Sequence, residues 1–148
     1  MASIELRDAP FLPYRELEAF QAALPELAGR YGATASFVGS LRDFNEGEAV
    51  SGMFLEHYPG MTERRLADIV DQAREHWPFL EALVIHRIGQ IRPHEAIVLV
   101  AIWSAHRGAA FDACRWIMEE LKNSAPFWKK ETLPEGEQRW VQHNTDGY

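Results

Sequence analysis

From Tyr14 onward apolar residues recur every three or four positions, at Leu17, Phe20, Leu24 and Leu27. This spacing predicts an amphipathic helix that Pro25 kinks or cuts short and that Gly29 and Gly32 punctuate. Segments 33–39 and 50–58 are rich in β-branched and aromatic residues. They read as the two strands of a hairpin joined across the polar stretch 43–49, with Gly47 at the turn. A second helix is marked by Thr62 as N-cap, Glu63 in the positive first turn, and an apolar stripe of Leu66, Ile69, Val70, Ala73 and Trp77 that Pro78 stops. Strands follow at 82–88 and 96–104, with 89–95 turning between them. The second is an unbroken apolar run from Ala96 to Trp103, as expected of a strand covered on both faces. The third helix spans 108–122 with Phe111, Cys114, Ile117, Met118 and Leu121 on its buried face, and Pro126 blocks any continuation. A short last strand is expected at 139–143, and 143–148 read as a loose tail.

Helix, two strands, helix, two strands, helix and a final strand make an α+β domain around a mainly antiparallel sheet. No repeat, low-complexity tract or linker divides residues 1–148, so one domain is expected. The formal charge of -7, from 15 basic against 22 acidic residues, argues against general binding to nucleic acid or an anionic membrane. Any anionic ligand must therefore meet a local cluster of cations. The longest apolar run is far short of the roughly 20 residues that span a bilayer, and the N-terminus lacks the pattern of a secretory signal, so a cytoplasmic location is the expectation. The single Cys114 has no disulfide partner and no second thiol for a zinc site; on a helix's apolar stripe it reads as a small buried hydrophobe. The six histidines form no H-x-x-x-H or H-x-x-E-H pattern, and no phosphate-binding glycine loop occurs.

Lysine usage changes the picture. Of the 15 basic residues only three are lysine, Lys122, Lys129 and Lys130, and they fall within nine residues. A lysine offers what arginine cannot, an amine whose pKa falls on desolvation and which can then donate, accept or attack. The bland alternative is a solvated helix end, where cations suit the dipole. Between the lysines lies Ala125-Pro126-Phe127-Trp128, a rigid aromatic segment able to wall off an amine from water, which favours function for Lys122 and Lys129. In an extended segment Lys130 would point the other way. A second candidate is Ser104-Ala105-His106-Arg107, where a buried strand feeds a helix N-terminus and free backbone N–H groups suit an anion. Arg42, just past the strand 33–39, is a third.

The segments Leu55-Glu56-His57-Tyr58-Pro59-Gly60-Met61-Thr62, His86-Arg87-Ile88-Gly89, Ser104-Ala105-His106-Arg107 and Ala125-Pro126-Phe127-Trp128-Lys129-Lys130-Glu131, in this order, together resemble the large, catalytic subunit of molybdopterin synthase. The likeness covers about residues 33–141. It implies an α/β hammerhead fold with an extra antiparallel sheet, a homodimer of large subunits, and a small ubiquitin-like subunit at each end carrying sulfur as a thiocarboxylate on its C-terminal glycine. The implied reaction transfers two sulfurs to cyclic pyranopterin monophosphate, giving the dithiolene of molybdopterin, with no metal or redox cofactor. By the same resemblance Lys122 and Lys129 are catalytic, and Arg42, His106, Arg107, Lys130 and Glu131 line the substrate pocket. A non-catalytic anion-binding or adaptor domain is the rival reading, and a Schiff-base lyase a weaker third.

Overall fold

The computed structural model describes residues 2–45 and 47–141. Along the chain run β1 (Ala2–Arg7), α1 (Pro13–Ala22), β2 (Ala33–Ser40), the short strands β3 (Phe44–Asn45) and β4 (Glu48–Ala49), β5 (Gly52–His57) and α2 (Met61–His76). Then come β6 (Phe79–Arg87), β7 (Gly89–Ile91), β8 (Ala96–Ser104), α3 (Arg107–Ser124), β9 (Phe127–Thr132) and β10 (Gln138–Trp140). The main sheet has the order β1-β6-β8-β2, antiparallel except for the parallel pair of β1 with β6. A second, antiparallel sheet has the order β10-β9-β5-β7. The result is the α+β architecture with an additional antiparallel sheet.

The unbroken apolar run of β8 has the expected cause. On one face of the main sheet Val84, Val98, Val100 and Ile102 pack with Leu66, Ile69 and Val70 of α2 and Ala113, Ile117 and Leu121 of α3. On the other, Leu83, Ile85, Leu99, Ala101 and Trp103 pack beneath Leu17 and Phe20 of α1 and Leu24 and Leu27 beyond it. Because strand side chains alternate, both residue sets of β8 must be apolar. Leu41, Met53, Leu55 and Ile91 form a smaller core under the second sheet.

Several expectations are corrected. The strands 33–39 and 50–58 do not form a hairpin: β2 pairs with β8, whereas β5 pairs with β7 and β9, so the polar stretch between them passes from one sheet to the other. The first helix ends at Ala22, and Pro25 opens a separate 3-10 turn, Pro25–Leu27. The second helix is capped by Gly60 at φ 84°, a left-handed conformation suited to glycine, with the Glu63 carboxylate accepting from the Gly60 N–H at 3.0 Å. Thr62 lies inside the helix instead, buried, where its Oγ1 accepts from the Tyr58 N–H and donates to the Pro126 carbonyl. Phe111, expected on the buried face of α3, is 65% exposed. The strands β1 and β9 were not foreseen, and β6 begins three residues before the expected start. The last strand occupies 138–140; the tail 143–148 lies outside the described residues.

Candidate active site

The segment after α3 is set by two constraints. Pro126 cannot continue the helix, and the Thr62 hydroxyl holds its carbonyl at 3.1 Å, so the chain leaves α3 extended and joins the second sheet as β9. In its register Lys129 stands opposite buried Leu55, and Glu131 opposite buried Met53. Alternation then turns Lys129 and Glu131 inward and Trp128 and Lys130 outward. Lys122, in the last turn of α3, reaches the same space: it borders three adjoining cavities, of about 460, 110 and 100 Å³, and Lys129 borders the two smaller ones.

The two amines lie close enough to interact, and the Lys129 amine is pushed down from 10.5 to about 8. Burial is the main cause, the adjacent Lys122 charge and hydrogen bond add to it, and the Glu131 charge opposes it. Near neutral pH this lysine therefore exists as an exchanging mixture of ammonium and amine, able to donate a proton or take one. Arg42 borders the largest and the smallest of these cavities beside Lys122, and it stacks on Phe44 at 5.2 Å. Glu131 is 4% exposed and accepts from Asn45 Nδ2 and Arg139 Nε, both at 3.0 Å. Lys130 lies on the other face of β9, over the Trp140 ring at 5.1 Å.

His106 and Arg107 do not reach this place within one chain. His106 is the N-cap of α3 and Arg107 its first residue, both exposed, whereas Lys122 is in the last turn. At 1.5 Å per residue the two ends are about 22 Å apart. Arg42 sits near the lysines because β2 runs antiparallel to β8: Ser40 pairs with Ala96, where β8 begins, and Ala33 with Ser104, where it ends. Two strand ends that look equivalent in the sequence thus lie at opposite ends of the paired strands.

One residue that the sequence had shown only as part of a motif joins the site. His86 is buried among the apolar residues of β6 and borders the 110 Å³ cavity with Lys122 and Lys129. A histidine closing the run Ala82-Leu83-Val84-Ile85 was the available signal, since burying a ring with two nitrogens requires partners for them. Cys114 borders the largest cavity, but burial raises its thiol to about 11, which removes thiolate character. Among the described residues no group of three or more His, Cys, Asp or Glu is placed to hold a metal ion, and no helix is long and apolar enough to cross a membrane.

Comparison with known proteins agrees with this architecture. The family model for MoaE protein matches residues 12–124. The molybdopterin synthase catalytic subunit of Ralstonia nicotianae is 52% identical over 141 residues, covering 95% of this chain and 77% of that protein. The solved structure of the molybdopterin biosynthesis MoaE protein of Burkholderia ambifaria has a TM-score of 0.79 and 44% identity, covering 99% of this chain and 94% of that one. That of molybdopterin synthase from Staphylococcus aureus has a TM-score of 0.81 and 30% identity, covering 94% and 96%. The chain belongs to the MoaE protein family, the catalytic subunits of molybdopterin synthase.

Proposed function

We propose that this chain is the catalytic subunit of a cytoplasmic molybdopterin synthase. It transfers sulfur from the C-terminal thiocarboxylate of a small ubiquitin-like subunit to cyclic pyranopterin monophosphate, forming the dithiolene. The observation that carries the chemistry is the partly desolvated Lys122–Lys129 pair at the junction of three cavities. Substrate phosphate and incoming thiocarboxylate are both anions, and a chain of net charge -7 needs cations gathered locally to hold them. Lys122 polarises the thiocarboxylate carbonyl as sulfur leaves, and Lys129, with an amine near 8, moves protons on the pterin. A merely adaptor-like anion site has no use for an amine poised in this way.

The separation of His106 and Arg107 from the lysines gives the homodimer a catalytic purpose. β2 is the outer strand of its sheet, and Phe37 in its middle is 41% exposed. Antiparallel pairing of two β2 strands about a two-fold axis sets the Ala33 end of one copy beside the Ser40 end of the other. His106 and Arg107 of a second copy then approach Arg42 and Lys122 of the first and complete the anion pocket. Glu131 supports it from β9 through its charge on Lys129, whereas Lys130, expected to line the pocket, points away from it over the Trp140 ring because strand side chains alternate.

Reconstitution tests the function. With the pterin substrate the protein should be inert alone and inert with the partner's plain carboxylate form, then active with the thiocarboxylate form. Turnover with free sulfide and no partner would overturn the assignment.

A further inference from the structure

His86 stands in a setting that fixes both its protonation and its plane. Its Nδ1 lies 2.8 Å from the Arg87 carbonyl oxygen, and because a carbonyl only accepts, Nδ1 carries the hydrogen. The other nitrogen, Nε2, is left as the ring's lone-pair acceptor. Phe127 stacks on the imidazole with centroids 4.0 Å apart and planes 13° from parallel, so the ring cannot tilt without displacing the residue two before Lys129 on the same face of β9. The cavity that His86 borders contains both lysines.

We propose that His86 is a positioning residue for the lysine pair: its Nε2 accepts an N–H of Lys129 and so fixes where the amine's remaining bonds point. One N–H is held back against β6, and the other valences of the nitrogen face the cavity in which sulfur and pterin meet. This inference rests on the function proposed above for its catalytic meaning, but not for its geometry. Charge supports it. Burial holds the imidazole down at about 4, with Lys129 and Lys122 adding to the effect, so at neutral pH the ring is a neutral acceptor. A protonated ring would be a donor only and would repel both amines. The charged and titratable groups around it are Lys122 from α3 and Lys129 from β9, then Glu131 and Arg42 in the adjoining cavity, and Arg87 beside it in β6.

The test uses the whole protein, whose three lysines make its side-chain amines easy to resolve by NMR after labelling with ¹³C-lysine. His86→Phe keeps a flat ring on Phe127 and removes the acceptor, whereas His86→Gln restores an acceptor near the position of Nε2. An accepted hydrogen bond favours the ammonium form. The Lys129 midpoint should therefore fall by about one pH unit in the Phe variant and return close to the wild-type value in the Gln variant. In the sulfur-transfer assay kcat should drop about tenfold in His86→Phe with the pterin KM unchanged, recover in His86→Gln, and show its pH profile moved by the same amount as the amine. An unmoved midpoint, or equal shifts in both variants, would overturn the proposal. The wild-type protein gives an independent measurement should the Phe variant not fold: ¹⁵N spectra of its histidines should show His86 as the Nδ1–H tautomer with a hydrogen-bonded Nε2, and an Nε2–H tautomer would refute the proposal. Neither NMR measurement requires sulfur transfer, so failure of the assigned reaction and failure of the positioning role remain distinguishable.

Discussion

Replacing Lys129 by Met should make the protein more stable at neutral pH while abolishing its chemistry. The wild-type amine falls from 10.5 to about 8 on folding because burial and the Lys122 charge disfavour its ammonium form. A fall of that size corresponds to about 3 kcal/mol of destabilisation wherever both folded and unfolded chains carry the proton. Methionine has a similar unbranched stem and no charge, so Lys129→Met removes that cost while filling the same space against Leu55. Some of the cost is relieved by water at the cavity mouth, so a gain of about 2 kcal/mol is expected, equivalent to roughly 5 °C in Tm for a chain of this length. The pH dependence identifies the cause. Between pH 8 and 10.5 the unfolded chain binds a proton that the folded chain has lost, so wild-type stability rises with pH relative to the variant. The advantage of Lys129→Met is thus constant below pH 8, shrinks through that window and vanishes above 10.5. Urea unfolding of both proteins at pH 7, 9 and 10.5 measures this difference directly. A variant less stable than wild type, or a gain that does not change with pH, would refute the electrostatic account of the lysine pair.

Lys122→Arg keeps the charge but replaces a compact ammonium with a guanidinium that cannot titrate, so it should lose most sulfur transfer while its thermal unfolding stays within a degree or two of wild type. Arg42→Ala and Arg107→Ala should each weaken pterin binding by about 1.5–3 kcal/mol in calorimetry, the range for a hydrogen bond to a charged group. Mixing the impaired Lys122→Ala and Arg107→Ala dimers at pterin concentrations too low for the Arg107→Ala protein to turn over should raise activity after subunit exchange, because each mixed dimer then contains one site with both native residues; no gain would show that the two act from the same chain. Cys114→Ser should leave turnover nearly unchanged, since the thiol is buried and its pKa raised to about 11, whereas loss of chemistry in the folded variant would point to a sulfur relay through the protein.

What was legible in the sequence follows the range of the signal. The helices 61–76 and 107–124 and the buried strand 96–104 impose period and continuity on their own residues, and they were readable from local pattern. Pairing was not: the polar stretch after β2 resembles a hairpin loop, and only the partners of β2 and β5 show that it crosses between sheets. β9 was hidden because Lys129, Lys130 and Glu131 break any apolar alternation, and the inward-facing Lys129 and Glu131 line a cavity instead of packing into an apolar core. The lysine pair could be found because lysine is scarce in a chain that otherwise uses arginine. The placement of His106 and Arg107 could not, since the direction of β2 against β8 decides which strand ends meet.

The central claim is that sulfur passes from a partner's thiocarboxylate to the pterin at the Lys122–Lys129 pair, and single-turnover transfer with ³⁴S in the thiocarboxylate tests it most directly. With unlabelled sulfide in the medium, wild-type protein should yield a dithiolene in which both sulfurs are ³⁴S, and Lys122→Ala should bind the same partner and pterin but form almost none. Unlabelled sulfur in the product, or wild-type rates from Lys122→Ala, would contradict the account.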